Sequence, residues 1–348
     1  MLPETIAAVP DEHGGPDAQG VPIHDFSTNS NACGPCPDAL MVVQQADAAH
    51  YPDPAYDALR RRLGAFHGVP VRRIVFAASA SEFIFRITAA VARRGGRAVH
   101  LPNHGYGDYA KAALAWGLQA LRGDAAAGDA QLVWCCDPSS PLGRAQPGLG
   151  EQLDALVPEA VCVLDLAYEP LRLQGRLALR AGQRDRVWQL WTPNKALGLA
   201  GIRAAYAVAP AGPVGSALQE QVERLAPSWP LGAHGAALLD AWTTDGVQRW
   251  LAQSRETLRL WKAHQQALLR DALGWACLPS EANFFCARPV LSYRMTLQQS
   301  LAGLRAHGIK LRDCASFGLP GHVRVSVQPP DAQAALHNSW QQLTRASR

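Results

Sequence analysis

Apolar and polar positions along the chain fall into two regimes. Residues 1–35 are rich in glycine, proline, aspartate and asparagine, which predicts an irregular N-terminal arm. Residues 37–49 and 55–67 then carry helical spacing. The second segment puts Leu59, Leu63 and Phe66 on one face and stops at Gly68. From there short apolar runs alternate with helical segments. Residues 73–77, 98–101, 132–136, 161–164 and 187–191 have strand length, and 81–93 and 109–118 have the helical period. Such alternation predicts an α/β fold, with a three-layer α/β/α domain over residues 36–235 built on a mostly parallel sheet.

The pattern changes after about residue 235. A long helical stretch is expected over 236–273, with a break near Asp245-Gly246. A strand (283–287), a helix (297–307), a strand (323–327) and a closing helix (331–344) follow. Residues 236–348 therefore read as a small α+β C-terminal domain. There is no internal repeat, and the one biased tract is an alanine- and glycine-rich loop at 123–128.

Composition narrows the function classes. An apolar fraction of 48% with 18% charged residues is that of a globular protein. No run is long enough to span a membrane. The first twenty residues lack the basic and apolar pattern of a signal peptide, so a cytoplasmic location is expected. The formal charge of +4 comes from scattered arginines rather than a basic groove with stacking aromatics, which argues against a nucleic-acid partner. Cys33-Gly34-Pro35-Cys36 has the spacing of a redox pair, but it follows a polar loop rather than a buried strand and is read as structural. No cysteine or histidine cluster has zinc spacing, and no metal is expected.

Chemistry concentrates where strands end. Small residues, Ala77-Ala78-Ser79-Ala80-Ser81, join a strand to a helix, and free amides at such a helix start suit a phosphate. Asp137-Pro138-Ser139-Ser140-Pro141-Leu142-Gly143 closes the 132–136 strand. Asp165 stands at the mouth of the next strand, where a carboxylate is costly without a cation, and Tyr168 can reach the same place. The 187–191 strand leads into Thr192-Pro193-Asn194-Lys195 and on to Arg203. Lys195 is one of 4 lysines against 29 arginines. An amine that can lose its proton suits covalent carbonyl chemistry, which a guanidinium cannot perform.

Together with His24-Asp25-Phe26-Ser27-Thr28-Asn29, Tyr51-Pro52-Asp53-Pro54 and His67-Gly68-Val69, these segments resemble the fold-type I pyridoxal-phosphate enzymes of aminotransferase class I/II. Within that group the chain is most similar to the histidinol-phosphate aminotransferase and threonine-phosphate decarboxylase branch. The resemblance implies pyridoxal 5'-phosphate held by Lys195 as a Schiff base, with Asp165 on the pyridinium nitrogen and Tyr168 on the ring hydroxyl. It implies Ala80, Ser81, Thr192 and Arg203 around the phosphate, Tyr106 stacked on the ring and Ser140 beside it. Tyr51 would reach the neighbouring subunit's phosphate, so a homodimer is implied. Arg324 would grip a substrate carboxylate, and Asn29 would face the substrate. The sequence departs from the family pattern at Ser140 (usually asparagine), His104 (usually proline) and Asn194 (usually a hydroxyl residue). The resemblance points first to an aminotransferase for an amino acid or amino-alcohol phosphate. Its alternatives are a threonine-phosphate decarboxylase of corrinoid synthesis and a cofactor-free binding module.

Overall fold

The computed structural model describes residues 13–123, 130–157 and 159–346. The first twelve residues of the expected arm and positions 124–128 of the alanine-rich loop lie outside them. Strand β1 (His24–Asp25) and helices α1 (Pro37–Gln44) and α2 (Asp57–His67) come first, then β2 (Ile74–Ala77) and α3 (Ala80–Arg93). Next are β3 (Ala98–His100), α4 (Gly107–Ala115), β4 (Gln119–Leu121), β5 (Leu132–Cys136) and α5 (Leu149–Ala155). They are followed by β6 (Val161–Asp165), α6 (Ala181–Arg184), β7 (Trp188–Trp191), β8 (Ala205–Val208) and α7 (Pro213–Arg224). Helices α8 (Ala233–Trp242) and α9 (Asp245–Ala267) lead to β9 (Ala276–Cys277), β10 (Phe284–Arg288) and α10 (Leu297–Ala306). The chain closes with β11 (Ile309–Lys310), β12 (Arg312–Asp313), β13 (Val323–Ser326) and α11 (Pro330–Ala346).

Seven strands form one sheet in the order β2-β8-β7-β6-β5-β3-β4. All neighbours are parallel except at β8, which runs against both β2 and β7. The expected mostly parallel sheet is present, and its apolar strands are buried on both faces, as that arrangement requires. Helices α3, α4 and α7 cover one face through Phe83, Ile87, Tyr109 and Val222. Helices α1, α2, α8 and α9 cover part of the other through Val43, Leu63, Leu239 and Leu251, and α5 covers the rest through Leu149 and Leu153.

Several boundaries differ from the sequence expectation. Helix α1 ends at Gln44, five residues early, where the small and polar residues Gln45-Ala46-Asp47-Ala48-Ala49 offer no large side chain to the core. The long C-terminal helical stretch is two helices, with the break at Thr243-Thr244 rather than Asp245-Gly246; Asp245 and Gly246 already lie in the first turn of α9. The arm is not wholly irregular. His24 and Asp25 pair in parallel with Ile309 and Lys310, and Phe26 is buried with Trp275 and Phe285. Strands β12, β13, β10 and β9 form a second, antiparallel sheet beside α10 and α11.

One buried cation joins the two sheets. Arg172, with a side chain 4% exposed, donates to Asp137 after β5, to Glu169 at 2.6 Å and to Glu281 just before β10. Removing it leaves three carboxylates facing one another, one of them, Asp137, buried. Arg172→Met is expected to lower stability by about 3–5 kcal/mol, the cost of stranding a buried charge, as measured by urea unfolding.

Candidate active site

The carboxyl ends of β5, β6 and β7 converge, and the sequence-expected residues gather there. Asp165, the last residue of β6, is 5% exposed. Its carboxylate accepts from the Tyr109 hydroxyl at 2.6 Å and from the Ala167 amide at 2.9 Å. Burial pushes its pKa above the ordinary aspartate value, while those two donors and the charge of Lys195 pull the other way. The environment thus holds a carboxylate that lacks a close cation. Tyr168 follows in the turn after β6, buried edge-on against Phe284 at 4.7 Å, and its hydroxyl receives the Asn29 amide at 3.4 Å.

Lys195 lies in the loop between β7 and β8. Its Nζ is 5.6 Å from the centre of the Tyr168 ring, which brings the amine, the phenol and Asp165 into one pocket. The loop is held from two directions. Asn194 donates to the carbonyls of Ala200 and Ile202 and accepts from the Lys195 amide at 3.0 Å. Asn194 therefore shapes the loop from within, and its amide is fully occupied. On the other side the arm pairs with the loop: the Asn31 amide reaches the Lys195 carbonyl at 2.9 Å and the Cys36 amide reaches Leu197 at 2.8 Å. Gly198 sits at φ +68°, and a Cβ there would meet the Gly34 carbonyl at 2.4 Å, so the close approach requires glycine.

Thr192 is 4% exposed, and its Oγ1 has no hydrogen-bond partner. A buried hydroxyl left unpaired is costly and marks a place where a ligand oxygen fits. Ala80 and Ser81 open α3, where first-turn amides have no intrahelical acceptor. Ser81 Oγ meets the Tyr106 hydroxyl at 3.1 Å, which places Tyr106 over the same end of the sheet. Burial raises the Tyr106 phenol, so it stays protonated at neutral pH. Arg203 is exposed, with no ion pair among the described residues. Tyr51 is 77% exposed and stacks at 4.4 Å on Trp229, away from the pocket of its own chain.

The second sheet supplies guanidinium groups. Arg324, on β13, is 7% exposed and donates to Ser140 Oγ at 3.1 Å and to the Ser27 carbonyl at 2.9 Å, while its Nε is unpaired. Ser140 is therefore tied to Arg324. Asn29, at φ +60°, has its Oδ1 buried without a partner.

Two residues emerge only in three dimensions. Tyr109 lies three residues after Tyr106 on α4, stacks on Trp134 at 4.4 Å and is the hydroxyl partner of Asp165; its spacing from Tyr106 was the available signal. Arg312 stands opposite Arg324 across β12 and β13, and both guanidinium groups lie over Phe317, at 4.8 and 5.4 Å. The Cys33/Cys36 pair goes the other way. Both thiols are free, and burial pushes Cys33 up to about 11 and raises Cys36, the reverse of an activated redox pair. Among the described residues no group of three His, Cys, Asp or Glu could hold a metal ion, and no helix is long and apolar enough to cross a membrane.

Comparison with known proteins shows the family and the fold. A histidinol-phosphate aminotransferase of Thiobacillus denitrificans is 30% identical over 333 residues, 88% of this chain and 81% of the relative. The solved histidinol-phosphate aminotransferase of Sinorhizobium meliloti, in complex with pyridoxal 5'-phosphate, superposes with a TM-score of 0.75 at 22% identity, covering 91% of this chain and 89% of that one. The L-threonine-O-3-phosphate decarboxylase of Porphyromonas gingivalis superposes with a TM-score of 0.76 at 20% identity, over 93% of this chain and 100% of that one. The model of the family described as aminotransferase class I and II matches residues 21–336, and the chain belongs to that family.

Proposed function

We propose that this protein is a pyridoxal-phosphate-dependent aminotransferase that moves an amino group between an amino-alcohol phosphate of the histidinol-phosphate type and a 2-oxo acid. The observation that carries the reading is the meeting of Asp165, Tyr168 and Lys195 at adjoining strand ends, next to the buried, unpaired Thr192 hydroxyl. The residues present fit the cofactor. Thr192 Oγ1 and Asn29 Oδ1 are polar atoms lacking partners, and Asp165 is a buried carboxylate lacking a cation. When bound, pyridoxal phosphate supplies an electron sink for the bonds at the substrate Cα.

The chain's own groups do the rest. Lys195 would hold the cofactor and then take and return the proton at the substrate Cα. Asp165, kept in place by Tyr109 and the Ala167 amide, would keep a proton on the ring nitrogen. Tyr168, with Asn29 behind it and Ser140 nearby, would orient the ring hydroxyl, and Tyr106 would cover the ring face. Ala80, Ser81, Thr192 and Arg203 would hold the phosphate, joined by Tyr51 of a second copy of the chain. The exposure of Tyr51 and of its stacking partner Trp229, 41% exposed, supports that homodimer. Arg324 and Arg312 offer two forks for the carboxylate and phosphate of the substrates.

The direct test is incubation of the cofactor-loaded protein with L-histidinol phosphate. The expected result is conversion of the cofactor to its amine form, restored by 2-oxoglutarate, with turnover reduced roughly 10²–10⁴-fold in Lys195→Ala. Release of carbon dioxide from threonine phosphate, with the cofactor unconverted, would instead assign decarboxylation.

Asp165→Asn separates stability from activity. A carboxyl whose folded pKa is raised destabilises the folded state above that pKa, and the penalty vanishes below the unfolded value of about 3.9. The cofactor-free variant is therefore expected to melt no lower than wild type at pH 8, with any gain shrinking towards pH 4, while turnover falls about 100-fold or more. Differential scanning calorimetry beside a steady-state assay checks both halves.

Sedimentation equilibrium is expected to give twice the chain mass. In mixed dimers of Lys195→Ala and Tyr51→Ala chains one of the two sites is restored, so mixing should raise activity above the mean of the two parents.

A further inference from the structure

We propose that a second ligand site lies on the helix-covered face of the large sheet, away from Lys195, and that it takes a planar aromatic anion, a ring bearing a carboxylate or phosphate. A cavity of about 770 Å³ opens there between β7 and β8 on one side and the ends of α2, α8 and α9 on the other. None of Asp165, Tyr168, Lys195 or Arg324 lines it. Its size is that of a small-molecule pocket, and such pockets combine apolar walls with a few fixed polar groups.

The wall is a run of aromatic rings. Trp242 packs on Phe66 at 5.7 Å, Phe66 on His67 at 5.0 Å, and His67 on Trp191 at 5.1 Å. The last of these carries an unmet donor: Trp191 Nε1 is buried and has no acceptor. An indole N–H can only donate, so the missing partner is an acceptor.

The charges that line it are of both signs, but only the carboxylates have close partners elsewhere. Four charged residues besides His67 line the cavity, namely Glu169, Asp185, Arg184 and Arg255. Both carboxylates contact an arginine outside it, Asp185 meeting Arg73 at 2.7 Å and Glu169 meeting Arg172 at 2.6 Å, the latter arginine shared with Asp137 and Glu281. Arg184 and Arg255 make no ion pair among the described residues. His67 adds no charge. Burial pushes it down to about 4, and its Nε2 is taken up by the Tyr206 hydroxyl at 2.8 Å. Two guanidinium groups with no direct carboxylate contact, a lone indole donor and a row of rings fit the same object, a flat ring with an anionic substituent. The site stands whatever reaction Lys195 serves.

Calorimetric titration of the cofactor-loaded protein with indole-3-acetate and with adenosine 5'-monophosphate tests this, and which of the two binds tells carboxylate from phosphate. One site per chain is expected for at least one probe. Arg255→Gln should weaken it about tenfold or more and Trp191→Phe, which keeps a ring but removes the N–H, about threefold or more. Arg324→Gln should leave it unchanged. Arg184→Gln, on an exposed residue, is the substitute variant if Arg255→Gln does not fold. The proposal fails if neither probe saturates at millimolar concentration. It also fails if affinity follows Arg324 rather than Arg255, or if inorganic phosphate alone binds as tightly as the nucleotide.

Discussion

A carboxylate withdrawn from water at the end of a central strand sets the terms for everything around it. Asp165 is buried at the mouth of β6, and a lone charge there is unstable by several kcal/mol unless something answers it. Tyr109 and the Ala167 amide answer in part with hydrogen bonds. The charge of Lys195 answers it from a greater distance. Burial thus costs the protein stability while Asp165 is ionised without a close cation, because the same low-dielectric setting that penalises a bare charge strengthens a paired one.

The two kinds of base in the chain divide the chemistry between the sheets. The large sheet presents an amine, Lys195, beside the phenol of Tyr168, on a loop whose shape Asn194 fixes from inside. The second sheet presents guanidinium groups, Arg312 and Arg324, side by side across β12 and β13, a group that keeps its charge and suits planar anions. Arg172 and its carboxylates hold the junction, and Arg324 reaches across to Ser140 and Ser27. Ser140, where the family usually has asparagine, is here one end of a contact between the sheets.

Much of this could be read from sequence because parallel sheets leave few choices. Apolar runs of five residues such as 132–136 have to be buried strands, their carboxyl ends have to lie together, and so Asp165, Tyr168 and Lys195 have to meet. What could not be read depended on partners distant in the chain. Strand β8 is Ala205-Tyr206-Ala207-Val208, too rich in alanine to announce a strand, and its direction is decided by β2 and β7. Strands β1 and β11 are two residues each and exist only because they find one another. Tyr109 sat in a predicted helix, but that it faces Asp165 rests on the rotational phase of α4. Arg312 lay in a stretch with no periodicity, and nothing local distinguished it from the other arginines.

The arm has a practical consequence for anyone who handles this protein. Asn31 and Cys36 hold the backbone of the Lys195 loop, Ser27 supplies an acceptor to Arg324, and Gly34 lies in contact with Gly198. A segment of this kind is not a spacer. Trimming the chain to a shorter domain that starts at α1, or splicing a linker between residues 24 and 36, would deprive the Lys195 loop of its scaffold while leaving the large sheet intact. Protease nicking in the same stretch would do likewise, and a preparation so damaged would keep its large sheet while the loop that carries Lys195 lost its support.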